Sequence, residues 1–85
     1  MRVLYSDLSL KQLKKMGKSE AKMIINYMKE IERLDNPRVR GKALVENLKG
    51  FWRYRVGDWR VICDIVDEEI IIHVIEVGHR REVYK

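Results

Sequence analysis

The residues of this chain with the most chemistry to offer are arginines, and several recur at strand spacing. Arg53 and Arg55 stand two apart in Phe51-Trp52-Arg53-Tyr54-Arg55-Val56, and Arg60 follows in Trp59-Arg60-Val61 after the Gly57-Asp58 break. Arg80 and Arg81 come after a further apolar run, beside His79 and ahead of Tyr84. A guanidinium stays protonated and offers paired donors in one plane, which suits phosphate oxygens. Such a set can hold an anion and stabilise charge that builds on it. It cannot accept a proton. Among the neighbouring residues, Tyr84 near the end of the chain can cover a core edge, stack on a base or donate its hydroxyl.

Strand alternation sorts these side chains. Gly57-Asp58 between two strand-like runs predicts a two-residue hairpin turn, which sets Val56 opposite Trp59, Arg55 opposite Arg60, Tyr54 opposite Val61 and Arg53 opposite Ile62. One face then carries Trp52, Tyr54, Val56, Trp59, Val61 and Cys63, a core surface. The other carries Phe51, Arg53, Arg55, Arg60, Ile62 and Asp64. Like charges directly opposite each other disfavour a sheet. One such arginine can splay into solvent at little cost, but three together, with Arg80 and Arg81 just beyond the next strand, are better explained by an anion site.

The next strand, about Ile70 to Val77, returns after Asp67-Glu68-Glu69. A three-residue turn there sets Glu76 opposite Arg60, where it could orient the guanidinium; a one-residue shift loses that contact. His73 reads as a packed or half-exposed strand residue, and no second ligand at metal spacing accompanies it, so no metal site is expected. His79, following Gly78, is expected to emerge toward the arginine face, with an ordinary surface histidine as the equal alternative.

Upstream, Val3 to Tyr5 fits a first strand, and Ser6 and Asp7 offer a helix cap. Leu10, Leu13 and Met16 make the apolar stripe of a short helix, with Gly17 as a left-handed stop. Ser19 can cap a longer helix to about Leu34, apolar along Ala21, Ile24, Ile25, Met28, Ile31 and Leu34, with Tyr27 near the edge of that face. Pro37 ends it, and Arg38 to Gly50 is a helical turn or a packed loop. The expected fold is α+β: an N-terminal strand, a two-helix hairpin, then a three-strand antiparallel meander in one sheet packed on the helices, a single domain over residues 1–85.

The totals agree with one folded basic domain. Hydrophobic residues make up 46% of the chain, and 18 Lys and Arg against 13 Asp and Glu give a net charge of +5, which favours RNA, DNA or acidic protein partners. Cys63 is the lone cysteine, a core residue with no disulfide partner. The Ile70–Ile72 run is far too short to cross a bilayer, and no signal peptide is visible, so a cytoplasmic protein without a membrane partner is expected.

At these residues the sequence resembles the RelE family of toxins, within the wider RelE/ParE group. The pattern is Gly50-Phe51-Trp52-Arg53-Tyr54-Arg55, Gly57-Asp58-Trp59-Arg60-Val61 and Val77-Gly78-His79-Arg80-Arg81-Glu82-Val83-Tyr84, and with the order of elements it spans essentially the whole chain. The resemblance implies an endoribonuclease, without metal or cofactor, that cuts mRNA in the ribosomal A site by attack of the ribose 2′-OH on the adjacent phosphodiester. Arg60 and Arg80 match that family's phosphate-stabilising arginines, and Tyr84 its C-terminal tyrosine. Arg53 and Arg55 fall where several members have lysines, and arginine is no general base. Tyr84 or His79 is therefore expected to take the proton, Arg60 to stabilise charge and Arg80 to help the leaving group, while Arg53, Arg55, Arg81 and Lys49 hold RNA. Implied partners are the ribosome with its mRNA and ribosomal RNA, and an antitoxin whose helix wraps the domain. Two alternatives stand beside it: a ParE-like inhibitor of DNA gyrase that cuts nothing, and a basic RNA-binding module without chemistry.

Overall fold

A computed structural model of the chain describes residues 1–79; Arg80, Arg81 and Tyr84 lie outside the described residues. The first strand, β1 (Arg2–Tyr5), runs into α1 (Asp7–Lys15) through a cap that does two jobs. The Ser6 hydroxyl accepts the Ser9 N–H at 3.0 Å and donates to the Ile75 carbonyl at 2.7 Å, tying the helix start to the sheet. Asp7 in the first turn and Lys14 and Lys15 in the last complement the helix dipole.

Gly17 is not a left-handed stop. Its backbone is extended (φ −61, ψ 150), and it serves as the N-cap of α2 (Lys18–Arg33), inside which Ser19 lies. Met16 before it is also extended, so the chain turns between the helices without any left-handed residue. The face of α2 that reaches the core is Ile24, Met28 and Ile31, all fully buried.

The sheet has the order β1-β5-β4-β3-β2, with β2 at Lys42–Ala43, β3 at Trp52–Val56, β4 at Trp59–Val66 and β5 at Ile71–His79. The meander β3-β4-β5 follows the expected hairpin register, with Val56↔Trp59, Arg55↔Arg60, Tyr54↔Val61 and Arg53↔Ile62. β1 joins it in parallel beside β5, and the helices cover one face. The segment from residue 38 to 50, expected as a helical turn or loop, holds 3₁₀ turns at Pro37–Val39 and Glu46–Leu48 and, between them, the short strand β2. Among the described residues no helix is long and apolar enough to cross a membrane.

Tyr54 anchors that segment. It is fully buried in β3, and its hydroxyl donates to the Pro37 carbonyl at 2.7 Å. Burial pushes its phenol well above the usual range, so it stays neutral and keeps its proton to donate. Tyr54→Phe should cost about 1–3 kcal/mol, because the buried Pro37 carbonyl loses its donor. Urea unfolding at constant m-value measures this, and a wild-type midpoint would remove the anchoring role. A second tie, Arg38 to Asp67 at 2.9 Å with two parallel hydrogen bonds, links the Pro37–Val39 turn to the β4–β5 connection. Arg38 holds the Asp67 carboxyl below its ordinary range. What the pair adds is therefore complete above the unfolded carboxylate pKa and lost only as pH falls through the lowered folded value.

The β4–β5 connection corrects the third strand's register. Asp67–Glu69 form a 3₁₀ turn, Ile70 follows in the left-handed region (φ 58, ψ 42), and Val66 pairs with Ile71, so four residues connect the strands. Farther on, the register shifts again: Cys63 pairs with Val74 but Ile62 with Glu76, which leaves Ile75 as an extra, bulged residue. Gly78, not Glu76, therefore stands opposite Arg60.

Candidate nucleic-acid interface

Residues directly opposite in antiparallel strands share a face, so the register gives the site its rows. On the face away from the helices, one row crosses four strands as Lys42, Arg53, Ile62 and Glu76. The next row is Arg55, Arg60 and Gly78. Arg53, Arg55 and Arg60 are thus brought together as the alternation predicts, and β2 adds a fourth cation, Lys42, which lies in the basic stretch after Pro37 and is not among the expected site residues.

The arginines differ in their surroundings. Arg55 is exposed and Arg53 partly so, whereas Arg60 is only 6% exposed. The Nε atoms of both Arg53 and Arg60 are shielded from solvent. A guanidinium withdrawn from water and placed opposite a second cation is costly for stability. The same withdrawal strengthens its pull on any anion that reaches it, since the field is less screened.

Beside this row lies a cleft of about 320 Å³, lined by Tyr27, Gly41, Lys42, Arg53 and Arg55. Gly41 must be glycine here: its φ is +85, and a Cβ would run into the Arg53 carbonyl oxygen and the Trp52 indole. Arg40 lies over the Tyr27 ring, 5.5 Å from its centroid, and reaches Glu30 at 3.5 Å. Sequence periodicity could not have found this wall, because a two-residue strand has no alternation to read. Lys49 is exposed at the end of the Glu46–Leu48 turn and does not line the cleft.

His79 goes to the other side. It pairs with Trp59, and the two rings meet edge to face with centroids 5.7 Å apart at 84°. Trp59 packs against the core that faces the helices, so the expectation that His79 joins the arginine face is corrected. The cause is the bulge at Ile75. Unbroken alternation from the buried Ile72 and Val74 would bury Glu76, expose Val77 and send His79 to the arginine face; the extra residue inverts all three. A smaller cavity of about 200 Å³, lined by Gln12, Lys15, Met16, Trp59 and Val77, lies on that helix side.

His73 is half-exposed, with Nε2 3.9 Å from a Glu69 carboxylate oxygen. Among the described residues, no group of three His, Cys, Asp or Glu side chains is placed to hold a metal ion. Cys63 is buried, and burial pushes its thiol up, which leaves it inert at neutral pH.

Residues 3–84 match the family described as the ParE toxin of type II toxin–antitoxin system, parDE. No curated protein matches. Among solved structures, the RelBE2 toxin–antitoxin complex from Mycobacterium tuberculosis is similar, with a TM-score of 0.83 and 24% identity over 93% of this chain and 96% of that one. The archaeal RelE–RelB complex from Pyrococcus horikoshii has a TM-score of 0.73 and 21% identity over 96% of this chain and 97% of that one. The intact RelBE complex of E. coli gives 0.72 and 15% over 92% and 94%. At such identities the likeness is one of fold.

Proposed function

The chain belongs to the ParE toxin family of type II toxin–antitoxin systems, and from that premise we propose that it is a ribosome-dependent mRNA endoribonuclease of the RelE kind. The observation that carries this reading is the row of Arg55 and the buried Arg60 on a face that the helices leave uncovered. Such a row suits a phosphodiester whose negative charge grows during reaction.

In the proposed reaction the ribose 2′ oxygen attacks the adjacent phosphorus, the 2′-O–P bond forms and the P–O5′ bond breaks. The products are a 2′,3′-cyclic phosphate and a 5′-OH. Arg60 stabilises the crowded phosphate, Arg53, Arg55, Arg81 and Lys49 hold the backbone, and Arg80 hydrogen-bonds the departing 5′ oxygen, which takes its proton from water. Tyr84 takes the 2′ proton. The edge-to-face contact of His79 with Trp59 on the helix side of the sheet supports Tyr84 over His79 in that role. The expected partners are the ribosome with mRNA in its A site and a cognate antitoxin; the three similar structures named above are themselves toxin–antitoxin complexes.

Mapping mRNA 5′ ends after brief expression tests the activity; new ends within translated codons are expected. His79→Ala should cleave ribosome-bound mRNA within a few fold of wild type, whereas Tyr84→Phe should lose roughly 10²- to 10⁴-fold, the usual worth of a general base. The reverse ranking would return the base role to His79.

A second reading keeps a specific observation in its favour. The matching family is that of ParE toxins, and Arg53 and Arg55 replace the lysines of several RelE members. A non-nuclease acting on DNA gyrase would leave mRNA intact and accumulate trapped gyrase–DNA complexes, and an assay for both products separates the two.

A further inference from the structure

We infer that the cleft lined by Tyr27, Gly41, Lys42, Arg53 and Arg55 is a second phosphate subsite, which holds the backbone unit of RNA next to the one gripped at Arg60. The inference rests on the nuclease reading for what the neighbouring site does, and adds Lys42 as a residue that holds RNA. Lys42 on β2 lies two strands from Arg60 on β4 and two residues off its row, which at about 4.8 Å per strand and 3.4 Å per residue is roughly 12 Å of backbone. Consecutive phosphates of one strand lie closer together than that, and the long Lys42 and Arg60 side chains bridge the difference by converging; the 320 Å³ of the cleft has room for a sugar–phosphate unit.

Charge decides the class of ligand. Three of the five lining residues are cations, and none is an acid. Among the described residues neither Lys42 nor Arg55 has a carboxylate within ion-pair distance. The nearby Glu30 is engaged by Arg40. The cleft is also a poor place for a base. The Tyr27 ring is covered by Arg40 on one side and tilts against Tyr54 at 6.0 Å, so it is a wall and not an open stacking platform. Recognition there is of the phosphate backbone, independent of sequence. Gly41, with its positive φ and its close approach to the Arg53 carbonyl, is what lets β2 bring Lys42 alongside Arg53.

The experiment measures binding of a 2′-O-methylated RNA dodecamer, which cannot be cut, as a function of salt. Each phosphate contact with a single strand contributes about 0.7 to the slope of log K against log salt. Lys42→Gln should lower that slope by about 0.7 and Lys42→Arg should restore it; the exposed Arg55→Gln should lower it as well. Lys42 is exposed and β2 pairs through its backbone, so thermal melts of the variants should match wild type. An unchanged slope in Lys42→Gln, or no RNA binding by the wild-type protein, overturns the subsite. Tighter binding of a poly-glutamate peptide of equal charge also overturns it and assigns the cleft to an acidic protein. A lowered slope in a protein that fails to cut mRNA on ribosomes leaves the subsite standing and removes the nuclease reading alone.

Discussion

Arg60→Ala should reduce cleavage of ribosome-bound mRNA by about 10²- to 10³-fold, the usual effect of deleting one preorganised donor to a developing oxyanion. The size follows from where Arg60 sits. It lies in the central part of the sheet, between Arg55 and Gly78 in its row, and only 6% of it is exposed. Its field is therefore less screened than that of a surface arginine, and no water is as well placed to substitute for it. Arg60→Lys keeps the charge but loses the planar pair of donors, so it should recover only part of the rate. Arg60→Met, similar in length, is the folding control, and a cooperative melt with lost cleavage would place the defect in chemistry. Full cleavage by both Arg60→Ala and Arg80→Ala would end the proposed mechanism.

Gly41→Ala should be among the most damaging changes to stability and to the cleft together. Backbone held at φ +85 costs a non-glycine residue about 1–3 kcal/mol, before any clash. Here the added Cβ also meets the Arg53 carbonyl oxygen, which is backbone and cannot swing aside, and the Trp52 indole. That indole is itself fixed, since its Nε1–H donates to the Arg40 carbonyl at 2.8 Å. β2 must then detach from β3. For a domain of this size each kcal/mol lowers Tm by about 4–8 °C. Gly50→Ala isolates the backbone term, because Gly50 has a comparable φ of +100 with nothing within 4 Å of its would-be Cβ. Equal melting temperatures for the two variants would show that the close approach at Gly41 costs nothing.

Much of this architecture follows from spacing along the chain. The two-residue turn at Gly57-Asp58 has one register that keeps Tyr54, Val61 and Cys63 on the buried side, and that register also puts Arg53, Arg55 and Arg60 on the opposite face. A one-residue slip would bury three cations and expose the aromatic set, so the sequence alone excludes it. The second hairpin was not legible in the same way. Its turn takes four residues because Ile70 adopts a left-handed conformation, which a β-branched residue rarely does and no turn rule would anticipate. The bulge at Ile75 left a trace, since strict alternation would have buried Glu76 and exposed Val77, but that trace has meaning only once β4 supplies the pairing partner.

What the sequence by itself determined was the local part: two amphipathic helices, a meander, and an arginine face set by the period of two along paired strands. What only the tertiary structure decided was which remote residues meet that face. Lys42, Gly41 and Tyr27 come from a two-residue edge strand, the residue just before it and a helix far away in the chain, and their meeting depends on the Tyr54–Pro37 hydrogen bond and the close approach of Gly41 to β3. His79 stands next to Arg80 in sequence yet faces Trp59, because one extra residue in β5 changes the side of the sheet to which every later side chain points. Periodicity propagates along a chain only until the pairing changes, and the pairing is a property of the folded sheet.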